Sequence, residues 1–121
     1  MTKKILIVED YDDSRRFMKT LVESYGYSVI EAADGEEAVQ IAQYGHPDLI
    51  LMDLAMPIMD GLATTRVIRR FDGGDKLPII AVSAFGTEFY TQALEAGCDD
   101  LIFKPFNVST LESVLNRYLE H

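Results

Sequence analysis

Four short runs of aliphatic and aromatic residues, Ile5 to Val8, Leu49 to Met52, Ile79 to Val82 and Leu101 to Phe103, recur along the chain without internal polar alternation. A strand with one wet face alternates apolar and polar residues, whereas a strand covered on both faces reads as a continuous apolar run. The four runs therefore read as parallel strands covered on both faces. A fifth segment, Ser28 to Ala32, is more mixed, as suits a strand at the edge of a sheet.

Segments with three- and four-residue apolar spacing separate the runs. The first gathers Phe17, Leu21 and Tyr25 with Met18 and Val22 into one broad stripe and ends at Gly26, just past the position of a C-cap. Asp34 can cap a second helix, with Glu37 reaching back as in a capping box and Ala38, Ile41 and Ala42 turned to the core. Asp60-Gly61 opens a third helix through Val67 and Ile68, closed by the loop Asp72-Gly73-Gly74-Asp75. A fourth spans roughly Glu88 to Glu95 before Gly97, and a fifth follows Asn107 with Leu111, Val114, Leu115 and Tyr118 on its inner side. Strict alternation of strand and helix predicts an α/β fold: a doubly wound, five-stranded parallel sheet with right-handed crossovers and helices on both faces. The 121 residues contain no internal repeat, low-complexity tract or linker, so a single domain over residues 1–121 is expected.

Charge and composition narrow the function classes. A hydrophobic share of 48% beside 26% charged residues is the balance of a globular protein with a real core. With 20 acidic against 11 basic residues the formal charge is −9, which repels a phosphate backbone and argues against a direct nucleic-acid partner. The apolar run after Lys3 and Lys4 stops at Glu9, too short for a signal peptide or a membrane span. No membrane insertion and a cytoplasmic location are expected. Cys98, the only cysteine, agrees with a reducing compartment and reads as a small core residue rather than a reactive thiol.

In open α/β sheets, ligands bind outside the carboxyl ends of the strands. The residues at those ends are Glu9 and Asp10, then Asp53, Ser83 and Lys104. Taken singly, each has a plainer role: an Asp caps a helix, a Ser bonds a turn, a Lys is solvated. Taken together, three carboxylates converging on one crevice repel one another unless a cation or protons neutralise them. Mg²⁺ prefers oxygen ligands and keeps several waters, so Asp10 and Asp53 could bind it directly with Glu9 acting through water. His46, beside Pro47, and the terminal His121 read as surface residues, and Cys98 lies well after the fourth run, so a soft-metal site such as Zn²⁺ finds no ligands here.

The segments Ile5-Leu6-Ile7-Val8-Glu9-Asp10, Leu51-Met52-Asp53-Leu54-Ala55-Met56-Pro57, Asp60-Gly61, Val82-Ser83-Ala84 and Lys104-Pro105-Phe106 resemble, as a set, the signature of response regulator receiver domains of two-component signalling. The resemblance runs from about Lys4 to the last helix. It implies a flavodoxin-like receiver fold with sheet order 2-1-3-4-5. It also implies that Asp53 accepts a phosphoryl group from the phosphohistidine of a histidine kinase or histidine phosphotransfer protein. Mg²⁺ would be held by Glu9, Asp10, Asp53 and the backbone carbonyl of Ala55, with Lys104, the Ser83 hydroxyl and the Ala84 N–H around the phosphoryl oxygens. A cis Lys104-Pro105 bond would help aim the lysine. A shape change would then reach a downstream protein partner through the face of the fourth helix, fifth strand and fifth helix. Such a module assists only its own phosphorylation and dephosphorylation and is not a turnover enzyme. The residue chemistry suits these roles: a carboxylate nucleophile needs no general base, Mg²⁺ lets anion approach anion, and Lys supplies a compact charge.

Two departures from the receiver pattern bear on the fate of the phosphorylated state. Leu101 stands where the family often has a Tyr or Phe that rotates inward, and it has no ring hydroxyl to couple to Ser83. By strand alternation Phe103 shares the face of Leu101, opposite Ile102. Ala55 and Phe85, two residues after Asp53 and Ser83, border the path of the hydrolytic water in receivers; one has no polar side chain and the other is bulky and apolar, which predicts slow loss of the phosphoryl group. A receiver-like module working without phosphorylation would be favoured if an acidic residue, Asp53 or Lys104 were missing, and none is. A phosphatase of the aspartate-nucleophile type has a second acid two residues after the nucleophile, a place held here by Ala55, and a flavin module lacks its Ser/Thr-rich loop after the first strand.

Overall fold

The computed structural model describes residues 2–54, 60–71, 73–84 and 89–119. Five strands, β1 (Lys4–Val8), β2 (Ser28–Ala32), β3 (Leu49–Asp53), β4 (Ile79–Ser83) and β5 (Asp100–Phe103), alternate with helices α1 (Asp12–Ser24), α2 (Gly35–Tyr44), α3 (Gly61–Arg70), α4 (Tyr90–Ala96) and α5 (Val108–Leu119). All pairings are parallel and the sheet order is β2-β1-β3-β4-β5. β3 and β4 are buried along their whole length and β1 in all but Lys4, whereas the edge strand β2 is only partly covered. Three of the four apolar runs thus became central strands, whereas the fourth, expected to be covered on both faces, is the second edge strand, β5, with Asp100 half-buried and Phe103 exposed.

Side-chain alternation sorts the core into two layers. Leu6, Val8, Ile50, Met52, Ile79, Ala81 and Leu101 face α2, α3 and α4, while Ile5, Ile7, Leu49, Leu51, Ile80, Val82 and Ile102 face α1 and α5. Phe103 falls on the exposed end of the α4 side, as its parity with Leu101 requires. The same alternation, continued to the strand ends, sends Glu9, Asp53 and Lys104 toward the α1 and α5 side. Ser83 keeps the parity of Ile79 and Ala81.

The helix ends follow their capping chemistry. Asp34 accepts the Glu37 N–H at 2.9 Å, while the Glu37 carboxylate reaches the Ala33 N–H, one residue before the cap. Asp60 accepts from Ala63 N–H at 2.8 Å and Asn107 from Thr110 N–H at 2.8 Å. Gly26 and Gly97 close α1 and α4 with φ of 95° and 113°, backbone that favours glycine. β1 and β5 start one residue earlier than their apolar runs, and β3 and β4 include Asp53 and Ser83 as last residues. A short 3-10 turn at Gly74–Lys76 occupies part of the loop after α3. Asp72, and Glu88 at the expected start of the fourth helix, lie outside the described residues.

One expectation fails. Phe17 is 60% exposed and takes no place in the stripe of α1, whose buried residues are Met18 and Val22 with Leu21 and Tyr25 packed beside them. Four residues at this spacing already fill the contact with the sheet, and Phe17 stands on the flank, over a groove toward Phe106. Cys98 is buried among core residues as expected, burial pushes its thiol pKa up, and His46 is exposed. His121 lies outside the described residues. Among the described residues no helix is long and apolar enough to cross a membrane.

The start of α3 presses on the backbone of β3. A Cβ on Gly61 would overlap the Asp53 carbonyl oxygen and come within 2.8 Å of Leu54 Cα. Ala normally favours a helix over Gly by up to about 1 kcal/mol. Here overpacking reverses the sign, so Gly61→Ala should destabilise by about 1–3 kcal/mol in urea unfolding. A neutral or stabilising effect would contradict the close approach.

Candidate functional site

At the carboxyl edge of the sheet, Glu9, Asp10 and Asp53 each present a carboxylate oxygen within 4.8 Å of the others. Glu9 and Asp53 are buried and Asp10 is exposed, so the cluster has a closed floor and an open mouth. Among the described residues this is the only grouping of three or more such ligands, and all its donors are oxygen, the set a hard divalent ion takes.

Lys104 closes the cluster on one side. Its Nζ donates to Glu9 Oε1 at 2.7 Å and lies 3.9 Å from Asp53 Oδ1. The Lys104 backbone N–H donates to the Ser83 carbonyl at 2.7 Å, holding the lysine level with the end of β4, and the Lys104-Pro105 bond is cis. Ser83 is buried at the end of β4, and Ala84 is exposed beside it. Leu101 packs with Ala81, Ala93 and Cys98 in the α4-side layer. Ala55 and Phe85 lie outside the described residues, as do Met56 and Pro57 of the motif.

The family model for the response regulator receiver domain matches residues 5–116. The chain belongs to this family. The receiver is 35% identical over 120 residues to the polar-differentiation response regulator DivK of Brucella ovis, covering 98% of each chain. It is 39% identical over 118 residues to a probable transcriptional regulator, ycf27, of Cyanophora paradoxa, where 97% of the receiver spans 48% of the relative, about half its length. Among solved structures, it resembles the receiver domain of a sensor histidine kinase from Pseudomonas aeruginosa, with a TM-score of 0.93, 35% identity and 100% of both chains covered. That structure has a magnesium ion coordinated in its active site cleft. The chemotaxis protein CheY4 of Vibrio cholerae is similar at a TM-score of 0.92 and 31% identity, over 98% of the receiver and 100% of that chain.

Two contacts of the receiver's pocket are not legible in the sequence. Lys104 sits closer to Glu9, at 2.7 Å, than to Asp53, at 3.9 Å. Arg15 reaches the acidic turn from α1, donating from Nη1 to the Glu9 carbonyl at 2.8 Å. Only its three-residue spacing from Asp12 marks it beforehand.

Burial alone would raise the Glu9 carboxyl, but hydrogen bonds with Asp53 and Lys104, the charge of Lys104 and the Tyr11 N–H outweigh it and hold the pKa below the ordinary range. A carboxyl depressed on folding stabilises the native state above its unfolded pKa, and that contribution is lost as pH falls through the folded value. In metal-free buffer the stability difference between the wild type and Glu9→Gln should therefore be fully present above about pH 4.3 and narrow at lower pH. Urea unfolding across that range checks it, and a gap that widens toward acid would contradict the assignment.

Proposed function

We propose that this receiver accepts a phosphoryl group on Asp53 in a Mg²⁺-dependent reaction. The observation that carries the reading is the convergence of the Glu9, Asp10 and Asp53 carboxylates within 4.8 Å beside the Lys104 ammonium. Asp53 Oδ attacks the phosphorus of a phosphohistidine; the O–P bond forms, the P–N bond breaks, and the imidazole keeps the electron pair and takes up a proton. The product is an acyl phosphate. Glu9, Asp10 and Asp53, with the Ala55 carbonyl, would hold Mg²⁺, which when bound offsets negative charge on the phosphoryl oxygens. Lys104 leaves Glu9 for a phosphoryl oxygen, while the Ser83 hydroxyl and Ala84 N–H bond another. The receiver assists only its own phosphorylation and dephosphorylation. Positioning and charge supply most of the rate in such transfers.

A groove of about 780 Å³ opens beside this pocket, with Asp13 and Ser14 at its α1 side and Phe17, Met18, Pro105 and Phe106 among its apolar lining. Its apolar walls and exposed Phe17 suit docking of the histidine kinase or phosphotransfer protein that carries the donor. Tyr90 and Leu94 on α4 and Phe103 on β5 are exposed, and we assign the face of α4, β5 and α5 to the downstream protein partner. With Leu101 in the layer below, the signal crosses by repacking against Ala93 rather than through a ring hydroxyl, and the shift should be smaller than in relatives with an aromatic there. The net charge of −9 makes nucleic acid an unsuitable direct partner, a cytoplasmic location fits the composition, and residues 1–121 are read as one receiver domain.

Acetyl phosphate with Mg²⁺ should label the wild type and leave Asp53→Asn unlabelled but folded; equal labelling of the variant would move the acceptor elsewhere. The side chains of Ala55 and Phe85 cannot orient a hydrolytic water, so the label should decay slowly and Ala55→Asn with Phe85→Glu should shorten its life; an unchanged decay rate would remove them from that role. Phe17→Asp should slow transfer from a phosphorylated protein donor by about tenfold or more, the loss of a ~2 kcal/mol aromatic anchor, and leave acetyl phosphate labelling intact. Equal slowing with both donors would contradict the docking role.

A further inference from the structure

Arg15 stands outside the acidic cluster yet bonds the peptide that carries two of its members. The carbonyl it binds, at 2.8 Å, belongs to the planar unit joining Glu9 to Asp10. The Glu9 N–H donates to the Ala32 carbonyl of β2 at 3.1 Å, so the backbone of Glu9 is tied on both sides. Fixing this peptide plane fixes where the Glu9 and Asp10 side chains leave the chain.

The guanidinium is itself held. Its Nε donates to Glu31 Oε1 at 3.2 Å and its Nη2 to Asp12 Oδ1 at 2.7 Å, and Lys19 Nζ lies 3.6 Å from the other Glu31 oxygen. The Arg15 side chain is 16% exposed, with acceptors on α1, on β2 and in the turn after β1. A rigid planar fork can serve three acceptors in these directions at once; the single ammonium of a lysine cannot.

We infer that Arg15 is a positioning residue of the divalent-cation site, locking the Glu9–Asp10 peptide so that the exposed Asp10 carboxylate meets those of Glu9 and Asp53. The inference rests on the reading of these three carboxylates as a Mg²⁺ site. Its sign separates it from simple electrostatics. Arg15 is a cation, and removing a nearby positive charge would tighten Mg²⁺ binding if charge were all that mattered. Loss of a positioning contact weakens it instead. Partners outside the ligand shell of a metal are worth about 10- to 100-fold in affinity.

Mg²⁺ titrations of the full chain, followed by backbone amide spectra, decide between them. Arg15→Met and Arg15→Lys should each bind about 10- to 100-fold more weakly than the wild type. Glu31→Gln, which loosens one anchor of the guanidinium but spares its bond to Glu9, should weaken binding less, and it carries the test with Arg15→Lys if Arg15→Met does not fold. Unchanged or tighter binding by a folded Arg15 variant overturns the inference while leaving the metal site standing. If the wild type and Asp10→Asn respond to Mg²⁺ alike, both the site reading and the role of Arg15 fall.

Discussion

Three carboxylate oxygens within 4.8 Å of one another, two of them on buried residues, are a standing electrostatic cost that the fold must offset. Among the described residues Lys104 is the side-chain cation that pairs with these acids, and it takes the more buried partner: Glu9 is 2% exposed and 2.7 Å away, while Asp53 is at 3.9 Å. Breaking a buried ion pair by removing one partner costs about 3–5 kcal/mol, so this contact stabilises the pocket. Supplying positive charge where the acids converge, by a divalent ion or by movement of Lys104, changes the balance among all four side chains.

The sheet explains why these residues meet. Glu9, Asp53 and Lys104 stand at the ends of three strands, yet each follows a core residue of the α1 and α5 side by two positions: Ile7, Leu51 and Ile102. The two-residue period of a strand therefore delivers all three to one side of the same edge. Ser83 has the other parity, continuing Ala81 on the side of α3 and α4. The pocket thus straddles both layers: acids and lysine stand over one, and the hydroxyl stands over the layer that contains Leu101 and Ala93. Ser83 thus lies between the acidic pocket and the packed layer that includes Ala93 of α4.

Most of this was legible in the sequence for a simple reason. Short continuous apolar runs alternating with helical spacing read as strands of one parallel sheet, and their ends, Glu9-Asp10, Asp53, Ser83 and Lys104, are then brought to one edge by topology. Asp34, Asp60 and Asn107 announced their helices through capping chemistry that acts within three residues. What stayed hidden depends on tertiary geometry. Phe17 shares helical spacing with buried residues, and only the width of the sheet contact decides that it is left outside. Arg15 meets Glu9 and Glu31 across 6 and 16 residues of chain, a distance at which no local period speaks. The Lys104–Glu9 contact spans 95 residues, again beyond any local period.

Thermal melting with and without Mg²⁺ tests the shared acidic pocket most directly. Without metal, Asp10→Asn should melt above the wild type, because one of three crowded acids is gone. With Mg²⁺ at a hundredfold excess over its dissociation constant the wild type should gain about 2.7 kcal/mol, and Asp10→Asn clearly less. Equal Mg²⁺ shifts in the two proteins, with no stabilisation of the metal-free variant, would contradict the account.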